Sequence, residues 1–185
     1  FGESKSLILV AKLDNVTLPN IYGIHSRVDA DLHLDGDRFH PEFTGKVKIE
    51  KAIIMLDELM TDNESDIEFI DNGEKETEKS KKSIGFEHAF LDNLTMDLNI
   101  LVEPGHALLN GKRINAELAG DLVVSKKPKQ SVVVQGKLNT VRGAYNLQGK
   151  IFRIVEGTIL FNGLSPPDPN LHVVCEYKVK DVHIY

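Results

Sequence analysis

Apolar and polar residues alternate with a period of two along most of this chain. Val28, Ala30, Leu32 and Leu34 interleave with Asp29, Asp31, His33 and Asp35. Leu94, Met96, Leu98, Ile100 and Val102 interleave with Thr95, Asp97 and Asn99, and Ile114, Ala116 and Leu118 with Asn115 and Glu117. Period two sustained over five or more residues describes an extended strand with one apolar and one polar face. Helical spacing of three and four never persists over two turns except across Ala52 to Met60, where one short helix is expected. The pattern predicts an all-β chain of at least ten strands.

Glycine pairs punctuate the alternation. Asp35-Gly36, Pro104-Gly105, Asn110-Gly111, Arg142-Gly143, Glu156-Gly157 and Asn162-Gly163 are read as turns. Asp66-Ile67-Glu68-Phe69-Ile70 suggests one more short strand. The stretch 71–83 carries four acids and four bases with no apolar residue, so it buries too little to offset its ordering entropy and is expected to be a mobile loop. One place breaks parity: Tyr145 and Leu147 are odd, Phe152 and Ile154 even. A bulge at Gly149-Lys150 within one long, bent strand would return all four to one face.

The chain also echoes itself. Ala30-Asp31-Leu32-His33-Leu34 is followed by Phe43-Thr44-Gly45-Lys46-Val47, and Gly120-Asp121-Leu122-Val123-Val124 by Val134-Gln135-Gly136-Lys137-Leu138. The step from Asp to Gly is 14 residues in the first copy and 15 in the second. Such recurrence suggests stacked strand–loop–strand units.

Composition removes several function classes. The 185 residues fit a single domain over 1–185 able to bury a sizeable core. No window approaches eighteen uninterrupted apolar residues, the length of a membrane-spanning helix. Net charge is −6 and no cluster of four or more Lys and Arg is free of acids, which argues against a nucleic-acid partner. Cys175, the single cysteine, has no internal disulfide partner and lies in the alternating series Leu171, Val173, Cys175, Tyr177, as a small buried hydrophobe would. The seven histidines are scattered without metal-ligand spacing, and no nucleophile elbow or phosphate-cradling glycine loop occurs. No catalytic residue, cofactor or metal is assigned, and an enzyme is not expected.

From Val132 to Val182 a series of motifs stands in a fixed order. Val134-Gln135-Gly136 leads into Val141-Arg142-Gly143-Ala144-Tyr145, then Gly149-Lys150-Ile151-Phe152-Arg153-Ile154. Glu156-Gly157-Thr158-Ile159-Leu160-Phe161-Asn162-Gly163 and Pro169-Asn170-Leu171-His172-Val173 follow. This resembles the C-terminal domain of the TamB family, the inner-membrane-anchored component of the translocation and assembly module. Leu18-Pro19, the first strand pair, Asp66–Ile70 and Asn115-Ala116-Glu117-Leu118-Ala119-Gly120 extend the resemblance over most of the chain. The charged loop departs from the family pattern, being longer and richer in lysine.

The resemblance implies a sheet curled into an open trough, a β-taco, with an apolar inner face. It implies a fragment of a longer periplasmic protein whose inner-membrane anchor lies outside this sequence. It also implies partners: an Omp85-class outer-membrane barrel (TamA- or BamA-like), and phospholipid acyl chains or unfolded outer-membrane protein strands as cargo. Periodicity alone does not distinguish such a trough from a sandwich closed on itself. In the trough reading the lining is Leu32, Leu34, Val47, Ile49, Leu94, Met96, Leu98, Ile100, Leu118, Leu122, Val124, Val134, Leu138, Tyr145, Leu147, Phe152, Ile154, Ile159, Phe161, Leu171 and Val173. Burying a sixteen-carbon chain there would gain on the order of 10 kcal/mol. The rival reading is a docking module that offers a free strand edge to a barrel-assembly partner, with a terminal strand running from about Leu171 to Tyr185 as the candidate edge. A passive spacer is the third.

Overall fold

The computed structural model describes residues 7–20, 23–37, 39–61, 90–179 and 182–184. The loop expected at 71–83 and the strand expected at 66–70 lie outside them. Among the described residues nine strands follow one another in a single sheet: β1 (Leu9–Thr17), β2 (Ile24–Gly36), β3 (Pro41–Met55), β4 (Thr95–Asn110), β5 (Ile114–Lys126), β6 (Val133–Leu147), β7 (Lys150–Asn162), β8 (Asn170–Val179) and β9 (Val182–Ile184). Spatial order equals chain order, so β1 and β9 stand at opposite ends and the sheet is open. Every pairing is antiparallel except β3 with β4. A parallel pair requires a long crossover. Here it is the 39 residues between Met55 and Thr95, which open with helix α1 (Leu56–Thr61). Extensive approach between elements is confined to neighbours in this order. No second layer packs on the sheet among the described residues.

Three local expectations change. Tyr145 and Phe152 do share a face, but through a hairpin rather than a bulge within one strand. Leu147 and Lys150 pair across a two-residue loop whose Gln148 and Gly149 both have positive φ, 51° and 81°. That geometry matches the strand twist and so makes the tightest hairpin. The Asn146 side chain adds a bond, its Oδ1 accepting from the Gly149 N–H at 3.0 Å. The terminal segment is likewise two strands, β8 and β9, paired from Tyr177 to Ile184. The helix begins only at Leu56, because Ala52 to Met55 complete β3.

Of the six glycine pairs, Asp35-Gly36, Asn110-Gly111 and Asn162-Gly163 do end strands. Pro104-Gly105, Arg142-Gly143 and Glu156-Gly157 instead lie inside β4, β6 and β7, next to a set of β-bulges. Extra residues interrupt the ladder at Asp14-Asn15 of β1, Glu50 of β3, Glu103 to His106 of β4, Val141 of β6 and Val155 of β7. Register places all five at one level. A bulge bends its strand, and bulges aligned across strands bend the sheet along a common line. The buried core sits at that line: Val102, Ala107, Leu118, Leu138 and Ile154 with the small Ala52 and Ala116. Alanine is favoured there because bending crowds the inward side chains.

Backbone groups freed by two of the bulges find side-chain partners. The Asn15 N–H donates to Asp29 Oδ1 at 2.7 Å, and His106 Nδ1 donates to the Glu50 carbonyl at 2.9 Å. Lys48 bridges Glu50 at 3.1 Å and Glu103 at 3.0 Å. The Glu103 carboxylate, with that of Glu50, holds the Lys48 ammonium above its ordinary range.

The sequence echo has a structural counterpart. In β2–β3, Leu32 opposes Gly45 and Asp31 opposes Lys46; in β5–β6, Leu122 opposes Gly136 and Asp121 opposes Lys137. In both copies a Cβ on the glycine would run into the carbonyl oxygen of the aspartate, Asp31 or Asp121. Gly136 also has φ +127°, whereas Gly105 has φ +90° with open space around it. Gly136→Ala should therefore cost more than Gly105→Ala: the backbone strain of about 1–3 kcal/mol common to both, plus the displacement of β5. Urea unfolding of the two variants measures the difference, and equal losses would contradict close packing at Gly136.

Candidate functional site

Register converts the alternation into rows that cross the sheet. One row runs Leu13, Ala30, Val47, Ile100, Leu122, Gly136, Phe161, each opposite the next. Beside it run Ala11, Leu32, Gly45, Leu98, Val124 and Val134, then Leu9, Leu34, Phe43 and Met96. On the other side run Val16, Val28, Ile49, Val102, Gly120, Leu138, Ile159 and Leu171. Beyond the bulge line Ala52, Ala107 and Leu118 oppose one another, Ile154 opposes Gly143 and Cys175, Tyr145 opposes Phe152, and Val173 opposes Gly157. At the far end Phe152 lies 5.0 Å from the Tyr177 ring, and Leu147 opposes Lys150.

Twenty of the 21 residues expected on the apolar face thus lie in strands, in rows of matching parity. Leu94 precedes β4 and has no register partner; its carbonyl accepts a hydrogen bond from Lys126 Nζ at 3.3 Å. Of the 21, only Leu118, Leu138 and Ile154 are buried, Leu147, Leu171 and Val173 are exposed, and the other fifteen are half-buried. Half-burial of a continuous apolar face is what a one-layer sheet gives and a closed sandwich does not. A depression of about 660 Å³ crosses five strands, lined by the row from Leu13 to Leu122 and, from the opposite face, by residues that include Lys12, Asp31, Lys46, Leu101, Asp121 and Val123.

The expected lining omits six buried residues of this face: Val28, Ala30, Val102 and Ala116, which the alternation already puts on apolar strand faces, and Ala52 and Ala107. The signal for the last two is a switch of parity within strands. In β4 the inward residues are even up to Val102 and odd from Ala107; in β3 they are odd up to Ile49 and even from Ala52. Each switch marks a bulge.

The opposite face carries charges, and several opposite signs face each other across strands: Lys12, Asp31 and Lys46 in turn, Asp29 and Lys48, and Asp121 and Lys137, while Arg27 opposes Lys51 and Asp35 opposes Glu42. Opposite charges directly across a strand pair favour this register over a one-residue slip. Among the described residues no cluster of His, Cys, Asp or Glu could hold a metal ion.

The TamB C-terminal domain family model matches residues 2–184. The chain belongs to the TamB family. Comparison with curated proteins finds no match. The TamB family is a structural and transport component of the translocation and assembly module of the cell envelope, and the all-β open, curved sheet of this chain fits the β-taco that the resemblance implied. No helix among the described residues is long and apolar enough to cross a membrane.

The bulge line divides this face into two kinds of position. Leu98 is half-buried on the open part, whereas Ile154 is 6% exposed within the core cluster. A charge at Leu98 can hydrate; a charge at Ile154 is confined. Leu98→Asp should cost about 1 kcal/mol or less, and Ile154→Asp on the order of 3–5 kcal/mol. Thermal melts of the two variants decide, and equal, wholesale unfolding of both would mean a closed core.

Proposed function

We propose that the apolar face of this TamB-family chain carries phospholipid acyl chains through the periplasm, in a longer protein that bridges the inner membrane and an Omp85-class barrel in the outer membrane. The observation that carries this reading is the register: eight successive strands contribute apolar side chains to one face, and no described element covers it. Uncovered apolar surface of that extent favours an apolar occupant. Rows continue unbroken from strand to strand, so an acyl chain has no step to cross along the stacking direction. The polar face supplies solubility, and no side chain is given a catalytic part.

A second reading rests on the edge strand. Ile8, just before β1, is 71% exposed and Val10 within it 62%, and among the described residues one side of the β1 backbone has no partner strand. An open edge with apolar residues accepts another strand, which fits docking of an outer-membrane protein segment.

The two readings separate in one experiment. Native mass spectrometry of the purified chain is expected to show copurifying phospholipid, lost in Leu98→Asp and kept in Ile8→Lys with Val10→Lys. A lipid-free chain that also fails to bind an apolar dye would contradict the acyl path. Loss of partner cross-linking in the edge variant alone would favour docking.

A further inference from the structure

Where β6 and β7 cross the bulge line, the polar face changes character. Val141 and Val155, the extra residues of those two strands, are exposed, and so is Leu108, which shares a row with Glu117 and Arg142. These three apolar side chains surround a depression of about 610 Å³ that Arg142 and Arg153 also line. Glu117 beneath it is only 5% exposed, and its Oε2 accepts from Arg142 Nε at 2.6 Å. On the neighbouring strands, Arg153 Nη2 donates to Glu176 Oε2 at 2.9 Å.

The consequence lies in which donors remain. Arg142 is held through Nε, and its terminal nitrogens make no hydrogen bond among the described residues. Its side chain is 81% exposed. A guanidinium anchored at Nε by a buried carboxylate presents its outer fork to solvent in a fixed direction. That fork matches a second carboxylate. Arg153 stands diagonally across the strand pair, with Cα atoms roughly 7–8 Å away. The surrounding valines and leucine offer a place for an apolar side chain beside the ion pair, the combination found at the centre of protein interfaces.

We propose that this depression docks a protein segment presenting an Asp or Glu next to a large apolar side chain. The site lies on the face opposite the acyl path and stands or falls independently of it. An anionic membrane is the poorer fit: two arginines, each already neutralised, on a chain of net charge −6 do not make a polybasic surface.

A random dodecapeptide library selected against the intact chain tests the proposal. Enriched peptides are then titrated by fluorescence anisotropy against the chain and against Val155→Asp, an exposed position where folding should be spared. The expected result is a shared acidic residue within a few positions of Leu, Ile or Phe, and binding weakened about tenfold or more by Val155→Asp. Val141→Asp, on the adjacent strand, should repeat that loss with an unchanged melt. The absence of a consensus, a basic consensus, or undiminished binding by both variants would overturn the proposal. So would binding to phosphatidylglycerol vesicles that both variants abolish, since the patch would then serve a membrane.

Discussion

A line of β-bulges crossing the sheet at one level is the constraint on which the rest of this structure depends. Extra residues in β1, β3, β4, β6 and β7 are matched by uninterrupted ladders in β2, β5 and β8, whose inward residues keep one parity throughout. Each bulged strand thus has a strict strand on one side, and the adjacent bulged strands β6 and β7 keep their mutual register across the line. The bend this produces does what a second layer does in a sandwich: it brings Leu118, Leu138 and Ile154 close enough to Ala107 and Ala116 to exclude water. Away from the line the same face stays half-buried. A one-layer sheet is thereby given a small core without closing its apolar surface.

The two faces answer to different forces. Inward rows hold through hydrophobic contact, which is non-directional and tolerates Leu, Val, Ile or Phe at a given place. Outward rows hold through paired charges that are sensitive to register. The glycines at 45 and 136 couple the two, because each lets one strand approach the backbone of the next at the level of an Asp–Lys pair. The repeated hairpin thus carries its own register mark, and a chain built of such units can be extended strand by strand without a new packing solution.

Much of this was legible in the sequence. Alternation gave the all-β class, and the Asp–Leu–Gly–Lys echo corresponds to two equivalent hairpins. The family motifs from Gly136 to Leu171 fall on β6 to β8, and the family match spans nearly the whole chain. The bulges were not read, although their trace was present as parity switches at Ile49 to Ala52, Val102 to Ala107 and Leu138 to Tyr145. Glycine pairs stand at the last two of these points, Pro104-Gly105 and Arg142-Gly143, and a glycine of the same chemistry serves a bulge and a turn alike. At Gln148-Gly149 the error ran the other way, and a two-residue turn was read as a bulge. The depression around Arg142 was invisible because its members come from four strands and two of them, Val141 and Val155, stand outside the alternation.

The bend itself is open to direct measurement. Ile114 and Val124 lie on the inward face of β5, half-buried, on either side of the bulge line. In a straight strand the ten steps from one to the other would span roughly 33 Å. Spin labels at Ile114→Cys and Val124→Cys, in a chain carrying Cys175→Ala, report that separation by pulsed electron resonance. A distribution centred well below the straight-strand span is the expected result. One centred at or beyond that span would mean a flat sheet, and the open, bent apolar face would have to be given up.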